Sequence, residues 1–328
     1  HRSATAMGTI LSLLLLLVFL ALGFACARLR LLNFTELTGR VFSVALYLLL
    51  FSMGLRLGQS RDVLSSLSLV GLLAVSGTLF ACAGTVILQL AFTPVYRRLD
   101  RIFAPSFVPA RPGFGKSLSG SRRARMLLHN LKKPLILLVL VVIGTVVGLF
   151  LPEIAWVRDG TVATWILYFL LFIIGIQMAS GESDLTALLR QPSLLVVPLV
   201  TIVGTLLGSL GTLVFDGMTP GRALALGSGF GWYSLSGVLI SNLGDPSLGA
   251  AAFLSNLLRE TLAFLAIPLL RASGRCESGV GIAGATSMDV TLPVIEDSWG
   301  PGVIPLSVTH GVILSLLVPF LVPLFMSL

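Results

Sequence analysis

Leu248-Gly-Ala-Ala-Ala-Phe-Leu-Ser-Asn-Leu-Leu-Arg-Glu260-Thr-Leu-Ala-Phe-Leu-Ala-Ile-Pro-Leu-Leu270 is the stretch that decides the fold. It is long enough to cross a bilayer as one helix, which takes about 20 mostly apolar residues. Yet Arg259 and Glu260 stand at its middle. A short polar turn follows, then Gly279-Val-Gly-Ile-Ala-Gly-Ala-Thr-Ser-Met-Asp289-Val-Thr-Leu-Pro293, a second carboxylate in a run of small residues. A charge at the bilayer centre costs about 2.5–3.5 kcal/mol on insertion scales. A helix that only had to span would not carry such residues. The expectation is that Glu260 and Asp289 bind something positive inside the membrane.

Working outward, 55% of the 328 residues are hydrophobic and 11% are charged. A soluble domain carries roughly a quarter charged residues. Composition therefore points to an all-α polytopic membrane protein. The net charge of +8 does not argue for nucleic acid, because the basic residues gather in one loop. Between Phe92 and Pro134 lie Arg97, Arg98, Arg101, Arg111, Lys116, Arg122, Arg123, Arg125, Lys132 and Lys133, opposed by Asp100 alone. The positive-inside bias makes this loop cytoplasmic, in contact with lipid headgroups. Its Pro, Gly and Ser content reads as a flexible connection. Cys26, Cys82 and Cys276 have no metal-ligand spacing, and no metal or cofactor is expected.

A sliding window marks about ten membrane segments, at roughly 8–27, 41–58, 69–91, 134–151, 162–179, 194–215, 221–242, 248–270, 279–295 and 302–326. Segments seven and nine are weakest, being rich in Gly and Ser. Residues 1–6 read as a remnant ahead of a start at Met7. The run from Ile10 to Ala27 is followed by arginines, so it reads as a retained span and not a cleaved signal. Counting crossings from the basic loop puts both termini on the non-cytoplasmic side.

Tyr47-Leu-Leu-Leu-Phe-Ser-Met-Gly54-Leu-Arg56 aligns with Tyr168-Phe-Leu-Leu-Phe-Ile-Ile-Gly175-Ile-Gln177, 121 positions later. That offset overlays segments one to three on four to six. Three spans per unit invert the second copy, the pattern of many secondary transporters. The organisation expected is a three-span repeat at 7–91, the basic loop at 92–133, a second repeat at 134–215, and site segments at 216–328.

Segment seven holds Gly227, Gly229, Gly231 and Gly237, each costing a helix about 1 kcal/mol against Ala. Close helix packing is one reading; a broken or re-entrant helix is the other. Unwound backbone at membrane depth is tolerated where it lines a cavity, and its N–H groups can hold a carboxylate. Trp232 and Tyr233 suit a cation–π wall of that cavity. Asn256 lies one turn before Glu260 and shares its face. Arg259 points about 100° away from Glu260, so it is expected to meet another partner, Asp289 or a backbone carbonyl. Pro293, four residues after Asp289, is expected to free a carbonyl beside it. His310 reads either as a hydrogen-bonded packing residue or as a proton relay.

At these residues the sequence resembles the LysO-type lysine exporter family. The matching stretches are Ser228-Gly-Phe-Gly-Trp-Tyr-Ser-Leu-Ser-Gly237, Asn256-Leu-Leu-Arg-Glu260, Gly284-Ala-Thr-Ser-Met-Asp-Val-Thr-Leu-Pro293 and His310-Gly-Val-Ile-Leu-Ser-Leu-Leu-Val-Pro319, with the two Leu-Phe-x-x-Gly repeats. The likeness covers nearly all of Met7 to Leu328. It implies a bacterial inner-membrane exporter of L-lysine and its analogues, and not an enzyme, with two essential intramembrane acids that fall on Glu260 and Asp289. The expected substrate site is Glu260, Asp289, Asn256, Trp232, Tyr233, Ser234, Ser236, Thr286 and Ser287. Proton coupling is expected at Glu260, Asp289 and His310, giving proton antiport. A sodium-coupled carrier of another small solute is the alternative, with Asp289 and freed carbonyls as the ion site. An intramembrane protease is the weakest reading. It rests on Asn242-Leu-Gly-Asp245, which lacks the first Gly of a Gly-x-Gly-Asp signature, and on Ser236 with His310.

Overall fold

The computed structural model describes residues 15, 18–29, 35–59, 67–102, 136–152, 154–158, 161–180, 193–271 and 276–328. Residues 1–6, and the part of the basic loop beyond residue 102, lie outside these. Among the described residues the regular elements are all helical. We number them α1 (Val18–Arg28), α2 (Thr35–Gln59), α3 (Leu67–Ala91), α4 (Thr93–Ile102), α5 (Ile136–Phe150), α6 (Thr161–Ser180), α7 (Ser193–Ser209), α8 (Pro220–Gly227), α9 (Tyr233–Asn242), α10 (Pro246–Leu270), α11 (Glu277–Ala283), α12 (Leu292–Trp299) and α13 (Ile304–Met326).

Among the described residues, five stretches are long and apolar enough to cross a membrane: Val41–Gln59, Ser68–Ala91, Leu194–Val214, Pro246–Leu270 and Pro301–Met326. Three more, Val18–Arg28, Ile136–Phe150 and Thr161–Ile176, are apolar but shorter. Among the described residues, the ten crossings expected from sequence are therefore not all present as long helices. Segments seven and nine account for part of the difference, because each doubles back on itself.

The first of these hairpins is α8 and α9. Pro220 opens α8 under a Thr219 cap, and α9 ends before Asp245, whose side chain caps α10 at Leu248 N, 2.9 Å away. Between them the helix stops over Ser228–Trp232. Phe230 and Gly231 take left-handed φ values of 47° and 99°, which reverse the chain. Arg222 Nη2 then lies 2.6 Å from Asp245 Oδ2. A straight helix would hold these two about 35 Å apart, at 1.5 Å per residue. The second hairpin is α11 and α12, joined by a 3₁₀ turn at Gly284–Met288. Its two arms meet where Gly279 lies against the Trp299 indole.

Helix α10 links the bases of the two hairpins, and α13 returns beside them. At one end of the bundle Gly221 packs on the Phe325 carbonyl; toward the other, Gly281 packs on Gln89 of α3. The hairpins therefore enter from opposite ends and meet at their tips. The Ala285 N–H donates to the Phe230 carbonyl at 2.7 Å.

Around this bundle the remaining helices pack through glycines, which let apolar helices come close without an aqueous driving force. Gly54 of α2 lies against Gly144 of α5, and Gly175 of α6 against Gly23 of α1. The 121-residue offset exchanges these two contacts. Gly84 of α3 meets Gly204 of α7, and Thr85 Oγ1 lies 2.7 Å from Thr205 Oγ1, a pair 120 positions apart. Helices α3 and α7 run antiparallel, since Gln89 reaches Val197 while Gly208 packs on Phe80.

Candidate functional site

Helix α10 places three polar side chains between the hairpin tips. Asn256 Oδ1 accepts from Gly231 N at 2.6 Å. Its amide nitrogen donates to Ser236 Oγ at 3.1 Å and to the Ala252 carbonyl at 2.9 Å. Both donors are used, and the oxygen holds the backbone of the first tip. Asn256 thus pins the reversal at Gly231, on the helix face expected from sequence.

Arg259 is 2% exposed and turns away from Glu260. Its Nε donates to the Ile282 carbonyl at 3.1 Å and Nη2 to the Gly281 carbonyl at 3.0 Å. Both Nη atoms approach Thr205 Oγ1 at 3.3 Å. Of the two partners expected for it, the structure selects backbone carbonyls. They belong to the last turn of α11, where the helical ladder runs out of donors, and the Gly281 carbonyl also accepts from the Gly284 N–H.

Glu260 is 1% exposed, and neither carboxylate oxygen has a hydrogen-bond partner. An uncompensated buried charge costs about 3–5 kcal/mol, so this carboxyl suits a proton or a cationic ligand. Asp289 and the Tyr233 phenol lie near enough to interact with it electrostatically. The structure thus brings Glu260, Asp289 and Tyr233 into one neighbourhood. Asp289 itself is exposed. It follows the 3₁₀ turn and accepts from Val290 N at 2.6 Å. Pro293 lies in the first turn of α12. It begins a helix and breaks none, so the carbonyl it was expected to free is not made that way.

Trp232 and Tyr233 are half-buried at the first tip, and Tyr233 stacks edge-on against Phe253 at 5.8 Å. Ser234 is buried in the first turn of α9. The hydroxyls of Ser236, Thr286 and Ser287 are committed to protein acceptors. Ser236 bonds the Trp232 carbonyl, Thr286 the Ala283 carbonyl and Ser287 the Ser307 carbonyl.

His310 is fully buried in a chain of side chains. Tyr96 donates to Gln89 Oε1, Gln89 donates to Thr201 Oγ1 at 2.8 Å, and Thr201 Oγ1 lies 2.9 Å from His310 Nε2. His310 Nδ1 lies 3.0 Å from Ser287 Oγ. The Ser287 proton goes to the Ser307 carbonyl, so Nδ1–H must donate and Nε2 must accept from Thr201. The neutral imidazole satisfies every partner, which favours the packing reading over the relay. Ser236 and His310 are each engaged elsewhere, and Asp245 caps α10 and pairs with Arg222, so neither protease element assembles.

Sequence reasoning missed the Tyr96–Gln89–Thr201 chain and the Arg259–Thr205–Thr85 contact. The second had a signal: Thr85 and Thr205 sit near the repeat offset, each as a hydroxyl within an apolar run.

The family model for the lysine exporter LysO matches residues 17–105 and 138–326. Lysine exporter LysO of Escherichia coli strain K12 is 34% identical over 314 residues, covering 95% of this chain and 98% of that protein. A putative lysine exporter of Haemophilus influenzae is 35% identical over 191 residues, covering 58% of this chain and 97% of its own. No solved structure matches the chain. This chain belongs to the lysine exporter LysO family.

Proposed function

We propose that this protein exports L-lysine from the bacterial cytoplasm across the inner membrane by proton antiport through Glu260 and Asp289. The observation that carries the reading is Glu260: a carboxyl buried mid-helix, with both oxygens unpartnered, beside a second acid. Lysine has two ammonium groups and one carboxylate. An ammonium group fits Glu260 or Asp289. The carboxylate fits the first turn of α9, which starts at Tyr233 with no side-chain cap and whose first N–H groups lack intrahelical acceptors. A helix N-terminus also carries a partial positive charge.

A buried acid that must be neutral or paired can trade its proton for the substrate amine. External protons would then enter as lysine leaves. Coupling is needed, because exporting a cation against an inside-negative potential costs about 2.3 kcal/mol per charge per 100 mV. Asn256, Thr286, Ser287 and His310 serve this site by holding its backbone. The sodium-coupled alternative loses its main support, since Pro293 opens α12.

We read segments one to three and four to six as inverted repeats. The exchange of Gly54–Gly144 with Gly175–Gly23 supports this, as does the Thr85–Thr205 contact between antiparallel helices. Orientation follows from the basic loop after α4. The end of α10, with Arg271, lies at the same end as the C-terminal end of α3, because Gln89 packs on Gly281. Positive charge then collects on one side, as the cytoplasmic rule asks. The C-terminus falls on the other side, beside the base of the first hairpin.

The test is lysine efflux from loaded vesicles carrying Glu260→Gln or Asp289→Asn. Loss of efflux at normal expression is expected in each. Normal efflux in both refutes the site.

A further inference from the structure

Arg259 is a buried charge that lysine binding does not use. We infer that it is a positioning residue for transport, clamping the tip of the second hairpin, and with it the Asp289 turn, onto the helix that carries Glu260. The inference rests on the site reading above for its effect on transport, though not for its effect on structure.

Arg259 spends its donors on three acceptors from two elements. Two are the Gly281 and Ile282 carbonyls, which end α11. The third is Thr205 Oγ1 on α7. Thr85 donates its proton to the Ala81 carbonyl, so Thr205 must donate to Thr85 and accept from Arg259. The chain of donors runs Arg259, Thr205, Thr85, Ala81, and each hydroxyl has one role. The clamp is thereby anchored at the crossing of α3 and α7.

Immediately after the clamped carbonyls the chain turns through Gly284, at φ 66°, into the turn that ends at Asp289. A Cβ on Gly284 would stand 3.2 Å from Arg259 Nε, so the guanidinium also walls the turn. One turn earlier on α10, Asn256 holds Gly231 at the other tip. Two side chains three positions apart therefore grip opposite hairpins, next to Glu260. A ligand seated on Glu260 is registered against both tips through one helix.

The rival account makes Arg259 a positive charge that acts on Glu260 at a distance. A lysine at this position supplies that charge. It does not supply a planar fork able to bridge two successive carbonyls and a hydroxyl. The two accounts part on that variant.

The experiment compares Arg259→Gln, Arg259→Lys and Thr205→Val with Glu260→Gln and the unaltered full chain. Amide hydrogen exchange over residues 281–289 is read by mass spectrometry, and lysine KM and Vmax in proteoliposomes. Both Arg259 variants are expected to exchange faster at 281–289 and to raise KM on the order of tenfold or more, with a smaller fall in Vmax. Thr205→Val, which removes one acceptor, should show a weaker form of both and stands in if an Arg259 variant does not fold. Glu260→Gln should lose transport with exchange at 281–289 unchanged. Full recovery of KM by Arg259→Lys, or unaltered exchange at 281–289 in the variants that fold, overturns the clamp. Normal export by Glu260→Gln would overturn the lysine site instead, while the exchange measurement still decides the clamp.

Discussion

The backbone N–H of Ala285 donates to the carbonyl of Phe230 across 2.7 Å, joining the tips of two hairpins that enter from opposite ends. Neither tip finishes its hydrogen bonding alone. Gly231 N is held by Asn256, and Gly281 and Ile282 by Arg259. Unwound backbone in a membrane is tolerated only where protein or a water-filled cavity receives it. These two breaks receive each other, and Glu260 stands beside the join.

The hairpin geometry predicts sidedness. Arg222 and Asp245 pair at 2.6 Å although 23 positions separate them. Single cysteines placed at 222 and at 245, in an otherwise cysteine-free chain, should both react with a membrane-impermeant maleimide added from the non-cytoplasmic side. Reaction of the two from opposite sides contradicts the hairpin. The ion pair itself is partly exposed and should contribute only about 0.2–1 kcal/mol, so Asp245→Asn should leave efflux near normal.

Gly284 should not accept a side chain. Its φ is 66°, and a Cβ there would run into the Phe230 carbonyl. That backbone conformation alone costs a substituted residue about 1–3 kcal/mol, and the contact between tips must also open. Gly284→Ala is therefore expected to lower the thermal midpoint in detergent by several degrees and to abolish efflux. An unchanged midpoint with normal efflux refutes the tip contact.

Much of this was legible in the residues and some was not. The glycines of 227–237 offered a break as one of two readings, and the structure takes it between α8 and α9. The direction of the chain after the break was hidden. A period of hydrophobicity gives helix faces, but a reversal depends on two φ values, at Phe230 and Gly231. Phe at such a φ leaves no sequence signal. Counting spans by alternation treats each of these hairpins as a crossing, which a chain that reverses at its middle is not. Glu260 stood out because charge in an apolar run is costly. Asp289 stood out for the same reason, but its exposure and the role of Pro293 depended on where a 3₁₀ turn ended.

The Thr85–Thr205 contact predicts coupling between two distant positions. Thr205 sits between Arg259 and Thr85, so removing its hydroxyl strips an acceptor from a buried guanidinium. Thr205→Val should destabilise more than Thr85→Val. A double-mutant cycle should return a coupling of about 0.6–1.7 kcal/mol, the range for interhelical hydrogen bonds in membranes. Additive effects contradict the pairing.

His310 should tolerate a neutral replacement that keeps one acceptor and one donor. His310→Gln is expected to retain most efflux and the same dependence on external pH. His310→Leu, which strands Thr201 and Ser287, should lose efflux and stability. A flattened pH dependence in His310→Gln would instead make the imidazole a proton carrier.

The central claim is that Glu260 exchanges a proton for the substrate's positive charge. Proteoliposomes loaded with lysine and a pH-sensitive dye test it most directly, by reading proton movement and lysine efflux together. The account predicts counterflow of protons with lysine in the unaltered protein, and loss of both in Glu260→Gln. Lysine efflux without proton movement in the unaltered protein, or coupled flow that survives Glu260→Gln, contradicts it.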